Sequence, residues 1–455
     1  MQSNGNPQTN RKRSPRLLGF FESGRAAFYE GERHIIIIGG TGRGKTTHYW
    51  VPWICTDQNS IIAATDIAGE LSMLCGDVRS KFGPVFIDNP HGILKQSIAH
   101  LPHGGCNPVS SLIDVDPKKF GIKAMKLAAG CVVKDLVETH KYWANTARTT
   151  LKAIIMAECI RGEEANLVRV AEIVQGDFVK YVQDVCAELS KLQQAGTEEG
   201  TPGAWEVVQT LRRYLTSRDD DVRSQREVIE QLRTDTSFLL DEGIAQSITR
   251  GDFRYADCRR EVMSIFTVLG IDVIDVLDKY LRLQLANCLS DLINPDVKGD
   301  VPVTIYCDEY GVAARNGLDA MGVAFTAARK AQVTVCVSVT SLAELKAVHP
   351  QDWEALIASA GATIWMGPIT DLTTGKYLSE LCGQKEVFTG NLPGQISGRA
   401  GKKVITPAEL AGLEEDSAIV FADFSRGCPM LLKHRSYRDM NELKDIVGKN
   451  RYYER

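Results

Sequence analysis

Short runs of apolar residues recur along the first part of the chain, and stretches with helical spacing separate them. The runs lie at residues 35–38, 61–64 and 85–87. Apolar runs of this length are typical of strands buried on both faces, and strands that alternate with helices indicate a parallel sheet. We therefore predict an α/β fold over residues 31–110. The helix after the first run should be short or bent because Pro52 interrupts it.

Helical spacing replaces the strand pattern from about residue 111 to 254. Apolar residues recur at steps of three and four between Trp143 and Ile155, and again between Leu211 and Leu215. This spacing places them on one face of a helix. We predict an all-α unit over 111–254, with a loop at 194–203, where Gly, Glu and Thr are frequent.

The strand pattern returns near residue 255 and continues to about 440. The runs that predict strands are residues 262–268, 303–307, 333–339, 362–366 and 418–421. A helical face from Leu277 to Leu292 separates the first two of these runs. The stretches 31–110 and 255–440 are therefore predicted to form one discontinuous α/β domain that the all-α unit interrupts.

The two ends of the chain are more polar. Residues 1–30 predict a flexible basic arm, with a patch made by Arg11, Lys12, Arg13 and Arg16. Such a patch is either a solvated tail or a contact for anionic lipid or nucleic acid. Residues 441–455 are predicted to be a C-terminal tail.

Composition narrows the function classes. The 53 basic and 57 acidic residues give a net charge of −4, so the chain lacks the overall charge of a nucleic-acid binder. Any DNA contact must then be local or made by assembled rings. The 12 cysteines are scattered without a Cys-x-x-Cys pair, which argues against a zinc site and a disulfide framework and favours a reducing cytoplasm. No apolar window approaches the roughly 20 residues of a membrane span.

A glycine-rich turn directly follows the apolar run at 35–38. It reads Gly39, Gly40, Thr41, Gly42, Arg43, Gly44, Lys45 and Thr46, with Thr47 next. Glycines let backbone N–H groups point at phosphate oxygens, and a helix N-terminus adds positive potential. We predict that residues 39–47 bind the phosphates of ATP, that Lys45 reaches the β- and γ-phosphates, and that Thr46 is a ligand of Mg²⁺. The alternative, a turn that matches the pattern by chance, is disfavoured by the preceding strand.

A carboxylate pair, Asp308 and Glu309, ends the predicted strand at 303–307. In P-loop ATPases an Asp at this place holds Mg²⁺, and a neighbouring carboxylate orients and deprotonates the attacking water. We assign the metal role to Asp308 and the catalytic role to Glu309. A pair of solvated acidic residues in a loop is the alternative.

With these motifs in place, the chain resembles the type IV secretion coupling proteins, TraG/TraD-like conjugative DNA-transfer ATPases in the same broad group as FtsK-like and HerA-like hexameric translocases. The order and spacing of several segments carry the resemblance, which spans roughly residues 34 to 440. These segments are the P-loop with Pro52, residues 65–70, Asn107-Pro108, Tyr142-Trp143 with Ala147, residues 262–292, Asp308-Glu309, residues 328–330 and residues 339–342.

The resemblance implies a RecA-like P-loop domain with a mostly parallel sheet, ATP and Mg²⁺ as cofactors, and a hexamer of identical subunits when active. It also implies that Arg329 enters the nucleotide site of the neighbouring subunit and stabilises charge in the transition state. An exposed helix arginine is the alternative for Arg329.

The chain departs from the family pattern at three places. Thr340 stands where the family usually has Gln, a residue placed to sense the γ-phosphate, and a hydroxyl reaches less far than an amide. Residues 66–70 lack the Lys of the family's Asp-x-Lys-Gly-Glu motif. Members of the family usually have transmembrane helices before the P-loop, and this sequence shows none there. We expect that a partner supplies the membrane anchor, that the protein is recruited peripherally to the membrane, or that the chain is a shortened form. We expect a cytoplasmic protein, peripheral at the inner membrane.

Two functions remain from the sequence. The first is an ATP-hydrolysing coupling protein that delivers a DNA, DNA–protein (relaxase) or effector-protein cargo to a type IV secretion channel, together with channel components and adaptors. The second is a nucleotide-binding adaptor or scaffold that recruits cargo without sustained pumping. Thr340 and the absent anchor favour the second, whereas Lys45, Asp308 and Glu309 favour the first.

Overall fold

The computed structural model describes residues 12–452 except 133–137, 163–164, 195–200, 216–218, 295–296, 298, 316–317 and 390–397. Its strands are β1 (Arg16–Phe20), β2 (Ala26–Tyr29), β3 (Ile35–Ile38), β4 (Ile61–Ile67), β5 (Val85–Asp88), β6 (Ser264–Leu269), β7 (Val303–Cys307), β8 (Val333–Val339), β9 (Ala362–Met366), β10 (Gln384–Thr389), β11 (Gly398–Lys403), β12 (Ser417–Ala422) and β13 (Met430–Lys433).

Its α-helices are α1 (Val51–Thr56), α2 (Glu70–Arg79), α3 (Lys95–Ile98), α4 (Phe120–Cys131), α5 (Glu138–Arg161), α6 (Leu167–Gln175), α7 (Phe178–Gln194), α8 (Ala204–Leu211), α9 (Asp219–Thr236), α10 (Glu242–Ile248), α11 (Ile274–Leu292), α12 (Tyr310–Ala313), α13 (Asp319–Ala327), α14 (Leu342–Val348), α15 (Trp353–Ser359), α16 (Leu372–Leu381) and α17 (Pro407–Ala411). Most of the predicted loop at 194–203 lies outside the described residues.

An 11-stranded sheet runs through the α/β part of the molecule in the order β2-β1-β13-β12-β9-β3-β8-β7-β4-β6-β5. Neighbouring strands from β9 to β5 are parallel, and the pairs on the β12 side are antiparallel. The strands predicted at 303–307, 333–339 and 362–366 have those bounds in the structure. The prediction of a mostly parallel α/β sheet is therefore confirmed.

Helices cover both faces of this sheet, as the burial of β3 illustrates. Ile35 and Ile37 contact the core that contains Trp50 and Trp53, and Ile36 and Ile38 contact the opposite core, to which α11–α16 contribute. Alternate side chains of a strand point to opposite faces, so a strand with two covered faces must be apolar throughout. This requirement explains the unbroken run of isoleucines.

The helix that follows the P-loop is short and irregular, as Pro52 predicts. Residues Thr46–Trp50 form a π-helical segment, in which the Val51 N–H donates to the Thr46 carbonyl, and α1 then ends at Thr56. Proline has no N–H for an α-helical bond to the residue four positions earlier. The wider turn is consistent with that missing donor.

Helices α4–α10 surround a core of their own, separate from the two sheet cores. Leu151, Ile154, Val182 and Leu211 are fully buried in it. The amino-terminal half of α11 also packs there, through Leu281 among others. This helix therefore joins the helical unit to the sheet.

A buried polar network lies at the same junction. Asp88, the last residue of β5, accepts hydrogen bonds from Ser247 Oγ at 2.5 Å and from the Tyr280 hydroxyl. Burial raises the pKa of Asp88 to about 6, although both hydrogen bonds lower it. The network thus connects the carboxyl edge of the sheet with α10 of the helical unit and with α11.

The structure corrects the prediction of a flexible arm over residues 1–30. Residues 1–11 lie outside the described part, but β1 and β2 are added to the sheet edge beside β13, and Leu18 and Tyr29 are buried. Arg16 is also buried and donates to Thr304 Oγ1 at 2.8 Å, while Arg13 donates to the carbonyl of Val303 at 3.1 Å and to that of Gln332. These two arginines bind the end of the sheet and are not a surface patch.

The C-terminal segment packs on the α/β part instead of leaving it. The Gly448 N–H donates to the Leu74 carbonyl at 2.9 Å, and Leu443 and Asn450 are buried. Residues 453–455 lie outside the described part. Within the residues that the structure describes, no helix combines the length and the apolar character needed to cross a bilayer.

The packing of β1 gives a stability prediction. Leu18→Ala removes a fully buried side chain and should lower the free energy of unfolding by about 2–5 kcal/mol. Leu431→Ala is the matched control on neighbouring β13, because Leu431 is half exposed, and should change it by less than about 0.5 kcal/mol. Urea denaturation followed by tryptophan fluorescence measures both. Equal midpoints for Leu18→Ala and the parent protein would contradict a structural role for β1.

Candidate nucleotide site

The carboxyl edge of the parallel strands gathers the predicted site residues. In the register of the sheet, Ile38 lies opposite Val339 and Cys307 lies opposite Val337. The residues that follow β3 and β7 are therefore brought to the same level as the end of β8, which lies between these two strands. The P-loop, the carboxylate pair and Thr340 meet here because of strand order and register.

The geometry of the P-loop requires its glycines. Gly42 and Gly44 have φ values of 77° and 78°, which side chains rarely adopt, and a Cβ on Gly44 would lie 2.4 Å from the His48 ring. A Cβ on Gly39 would lie 2.9 Å from Met366 Cβ on β9. A Cβ on Gly42 would meet nothing within 4 Å, so this side of the loop is open to a ligand.

Lys45 lies directly over the loop. It is buried, and its Nζ donates to the Gly39 carbonyl at 2.9 Å and to the Gly40 carbonyl at 3.5 Å. Phosphate oxygens carry charge and are stronger acceptors of an ammonium group than neutral carbonyls. The ammonium is therefore placed where a phosphate bound by the loop would attract it.

The other predicted P-loop residues have distinct partners. Arg43 forms an ion pair with Glu415 at 2.8 Å, and Thr47 Oγ1 donates to the Gly44 carbonyl at 3.2 Å. Thr41 is exposed. The Arg43 side chain is therefore directed to Glu415, while Thr47 stabilises the turn.

Thr46 and Asp308 are in direct contact. Thr46 Oγ1 donates to Asp308 Oδ2 at 3.1 Å, although 262 positions separate the two residues. Ser338 Oγ on β8 donates to Asp308 Oδ1 at 2.8 Å, and the Glu309 N–H donates to the same oxygen at 3.1 Å. Asp308 is thus held in a fixed orientation beside the P-loop hydroxyl.

This pair of oxygens suits Mg²⁺. The ion prefers oxygen ligands and usually combines one or two protein ligands with water and substrate phosphates. Among the described residues, no group of three or more His, Cys, Asp or Glu side chains is arranged to hold a metal ion. A hydroxyl and one carboxylate next to a phosphate-binding loop meet the needs of Mg²⁺ without such a cluster.

Glu309 is strained and partly buried. Its φ is 51°, in the left-handed region, and it is the N-cap residue directly before α12. Such backbone strain in a non-glycine residue is concentrated at functional sites. Burial raises the pKa of Glu309, the charges of Asp308 and Glu344 raise it further, and Lys45 lowers it.

Thr340 already has a partner. Its N–H and its hydroxyl both donate to Glu344 Oε2, at 2.5 Å and 2.7 Å. Glu344 was not among the predicted site residues. Ser341 followed three residues later by Glu344 matches a helix capping box, which was the available signal, but the carboxylate bonds to Thr340 instead of the cap residue.

Arg329 lies away from the residues described above. Arg329 precedes β8, whereas Thr340 follows β8. The 7 residues of this strand span about 23 Å, so the two residues lie near opposite ends of the strand. The side chain is 61% exposed, and its nearest acidic partner is Glu32, at 3.9 Å. Arg329 therefore does not reach the candidate site of its own chain.

Residues 66–70 run from the end of β4 through a two-residue turn to the start of α2, at the same edge of the sheet. Asp66 accepts from the N–H groups of Leu71 and Ser72 at 2.8 Å and 2.7 Å, and burial raises the pKa of this carboxyl to about 7. Asn450 Nδ2 donates to Glu70 Oε1 at 2.5 Å. Burial raises the pKa of Glu70, the bond from Asn450 lowers it, and the charge of Asp308 raises it. The C-terminal segment thus contacts the border of the site.

Known proteins are similar to this chain in sequence family and in fold. A family model described as type IV secretory system conjugative DNA transfer matches residues 6–452. No curated protein sequence is significantly similar to the chain.

The bacterial conjugative coupling protein TrwBdeltaN70, in an unbound form, has a similar structure, with a TM-score of 0.68 and 16% identity over 92% of this chain and 88% of that one. TrwB in complex with the ATP analogue ADPNP gives a TM-score of 0.66 and 16% identity over 89% and 86% of the two chains. TrwB in complex with ADP and Mg²⁺ gives 0.68 and 15% identity over 95% of both.

The structural likeness confirms the predicted RecA-like P-loop fold. The family match covers nearly the whole chain and includes every candidate site residue. The chain belongs to the type IV secretory system conjugative DNA transfer family.

Proposed function

We propose that this protein is an ATP-hydrolysing coupling protein, which uses ATP and Mg²⁺ to recruit a DNA–protein or protein cargo and move it to a type IV secretion channel. The contact between Thr46 and Asp308, 3.1 Å, is the observation that carries this proposal. It joins a phosphate-binding loop to a carboxylate pair, as phosphoryl transfer requires. Family membership and the nucleotide complexes of TrwB support it.

Each side chain has a role in the proposed reaction. Glu309 accepts a proton from water while the water oxygen forms a bond to the γ-phosphorus. The bond from that phosphorus to the β–γ bridging oxygen breaks, and its electron pair stays on ADP. Lys45 and the backbone N–H groups of residues 40–46 stabilise the phosphate charge. Thr46 and Asp308 would hold Mg²⁺, which would supply further positive charge beside the phosphates.

The position of Arg329 supports sites shared between subunits. The guanidinium is exposed and lies about a strand's length from the site of its own chain, so another copy of the chain can reach it. We therefore propose a ring of identical subunits, a hexamer in the active state, with Arg329 of one subunit completing the site of the next. The helical unit would face cargo or adaptors, and contact with the membrane would be peripheral or through a partner.

Lys45→Ala should weaken ATP binding by at least about 30-fold, because the buried phosphate charge loses its charge-assisted partner. Lys180→Ala, which removes an exposed lysine from α7 of the helical unit, is the control and should leave affinity unchanged. Isothermal titration with ATP and Mg²⁺ measures both. Undiminished binding by the Lys45 variant would show that the loop has been wrongly assigned.

Glu309→Gln should reduce steady-state ATP turnover by at least about 100-fold while nucleotide affinity is kept, because only the proton acceptor is lost. Turnover is measured with and without single-stranded DNA, for the parent protein and for the variant. Background turnover in both proteins under both conditions would end the pumping proposal. With ATP binding intact, that result would favour the nucleotide-binding adaptor.

Arg329→Ala should leave ATP binding intact and lower turnover. Mixed in equal amounts with Glu309→Gln subunits, it should regain activity, because about one interface in four then combines an intact Glu309 with an intact Arg329. The mixing series is assayed for ATP hydrolysis at several ratios. If no ratio exceeds the sum of the two separate activities, the sites are not shared in this way.

A further inference from the structure

A third acidic side chain, Glu344 on α14, lies at the edge of the nucleotide site. Its Oε2 accepts both the N–H and the hydroxyl of Thr340, at 2.5 Å and 2.7 Å. One carboxylate oxygen therefore fixes both the backbone and the side-chain direction of the residue that ends β8. The Thr340 hydroxyl cannot turn without losing a charge-assisted bond.

The other oxygen of Glu344 lies close to the segment that carries Glu309. A Cβ built on Gly311 would lie 1.9 Å from Glu344 Oε1, so only glycine leaves room for the carboxylate at this position. Gly311 is in the first turn of α12, and Glu309 is the N-cap residue of this helix. Glu344 thus extends from the end of β8 to the turn that carries the proposed base.

The first turn of α14, which carries Glu344, is itself held firmly. Ser341 Oγ accepts from the Glu344 N–H at 3.2 Å, and Thr374 Oγ1 on α16 accepts from the Leu342 N–H at 3.0 Å. The Thr374 N–H in turn donates to Asp371 at 2.8 Å. These bonds fix the start of α14, so the position of the carboxylate is set by the fold.

We propose that Glu344 is a positioning residue for ATP hydrolysis, which holds Thr340 in place beside the turn that carries Glu309. One carboxylate oxygen binds Thr340, and the other lies against Gly311 in α12. This inference rests on the proposed function.

Glu344→Gln is the informative variant, because both bonds from Thr340 go to one oxygen, which the Gln carbonyl can replace. We expect its kcat and its KM for ATP to stay within about threefold of the parent values, because the acceptor of both Thr340 bonds is kept. Glu344→Ala instead leaves the Thr340 donors without their acceptor, so its kcat should fall about tenfold with little change in KM for ATP. Glu380→Ala, which removes an exposed side chain from α16, is the control and should keep the parent kcat.

Hydrogen exchange gives a second readout that does not need turnover. The Thr340 amide should exchange faster in Glu344→Ala and keep its protection in Glu344→Gln, because only the alanine variant loses the acceptor. A parent-like kcat or unchanged exchange at Thr340 in Glu344→Ala would overturn the inference, and so would a loss of kcat in Glu344→Gln as large as that in Glu344→Ala. A parent protein without ATP turnover at any pH would refute the proposed function instead, and the exchange measurement would still decide whether Glu344 holds Thr340.

Discussion

The rest of the site depends on the hydrogen bond from Thr46 to Asp308. It joins the first helical turn after the P-loop to the end of β7, and Ser338 on the strand between them holds the same carboxylate from the other side. Three segments that are far apart in sequence are thereby fixed around one acidic group. The parallel register makes this possible, since it sets Asp308 level with Ser338 and the P-loop level with Thr340. A slip of one residue in β7 would turn Asp308 to the opposite face of the sheet.

The central strands and the P-loop could be predicted from sequence because their signals are local. A strand covered on both faces must be apolar at every position, and a loop that binds phosphates must be rich in glycine, so both requirements leave a continuous pattern. The edge strands carry no such pattern. Arg16 looks like part of a basic arm until Thr304, 288 positions away, is known to accept its hydrogen bond. The apolar residues of β1 and β2 are too few to predict a strand in a segment that also carries several basic residues.

The parts of the site that were missed depend on tertiary contacts. Glu344 has the spacing of a helix cap, and only the folded loop directs its carboxylate to Thr340. Asn450 comes within 2.5 Å of Glu70 across 380 positions, which no local pattern indicates. Thr340 itself was predicted from a family resemblance. The structure explains how its short hydroxyl is kept in place, because it donates to the carboxylate of Glu344, four residues away. The Thr340 hydroxyl reaches less far than the amide of Gln would, but this bond fixes its orientation.

The arrangement of the sheet also links chemistry to the helical unit. Asp88 ends β5 at the same edge as the P-loop and Asp308, and it is bonded to Ser247 in α10 and to Tyr280 in α11. A buried polar group that loses a partner incurs a large free-energy cost, so this junction favours one arrangement and resists small displacements. Because α11 packs against the helical core at one end and the sheet core at the other, it connects the carboxyl edge of the sheet with the helical unit. This connection gives the proposed ATPase cycle a physical path from the nucleotide site to the helices.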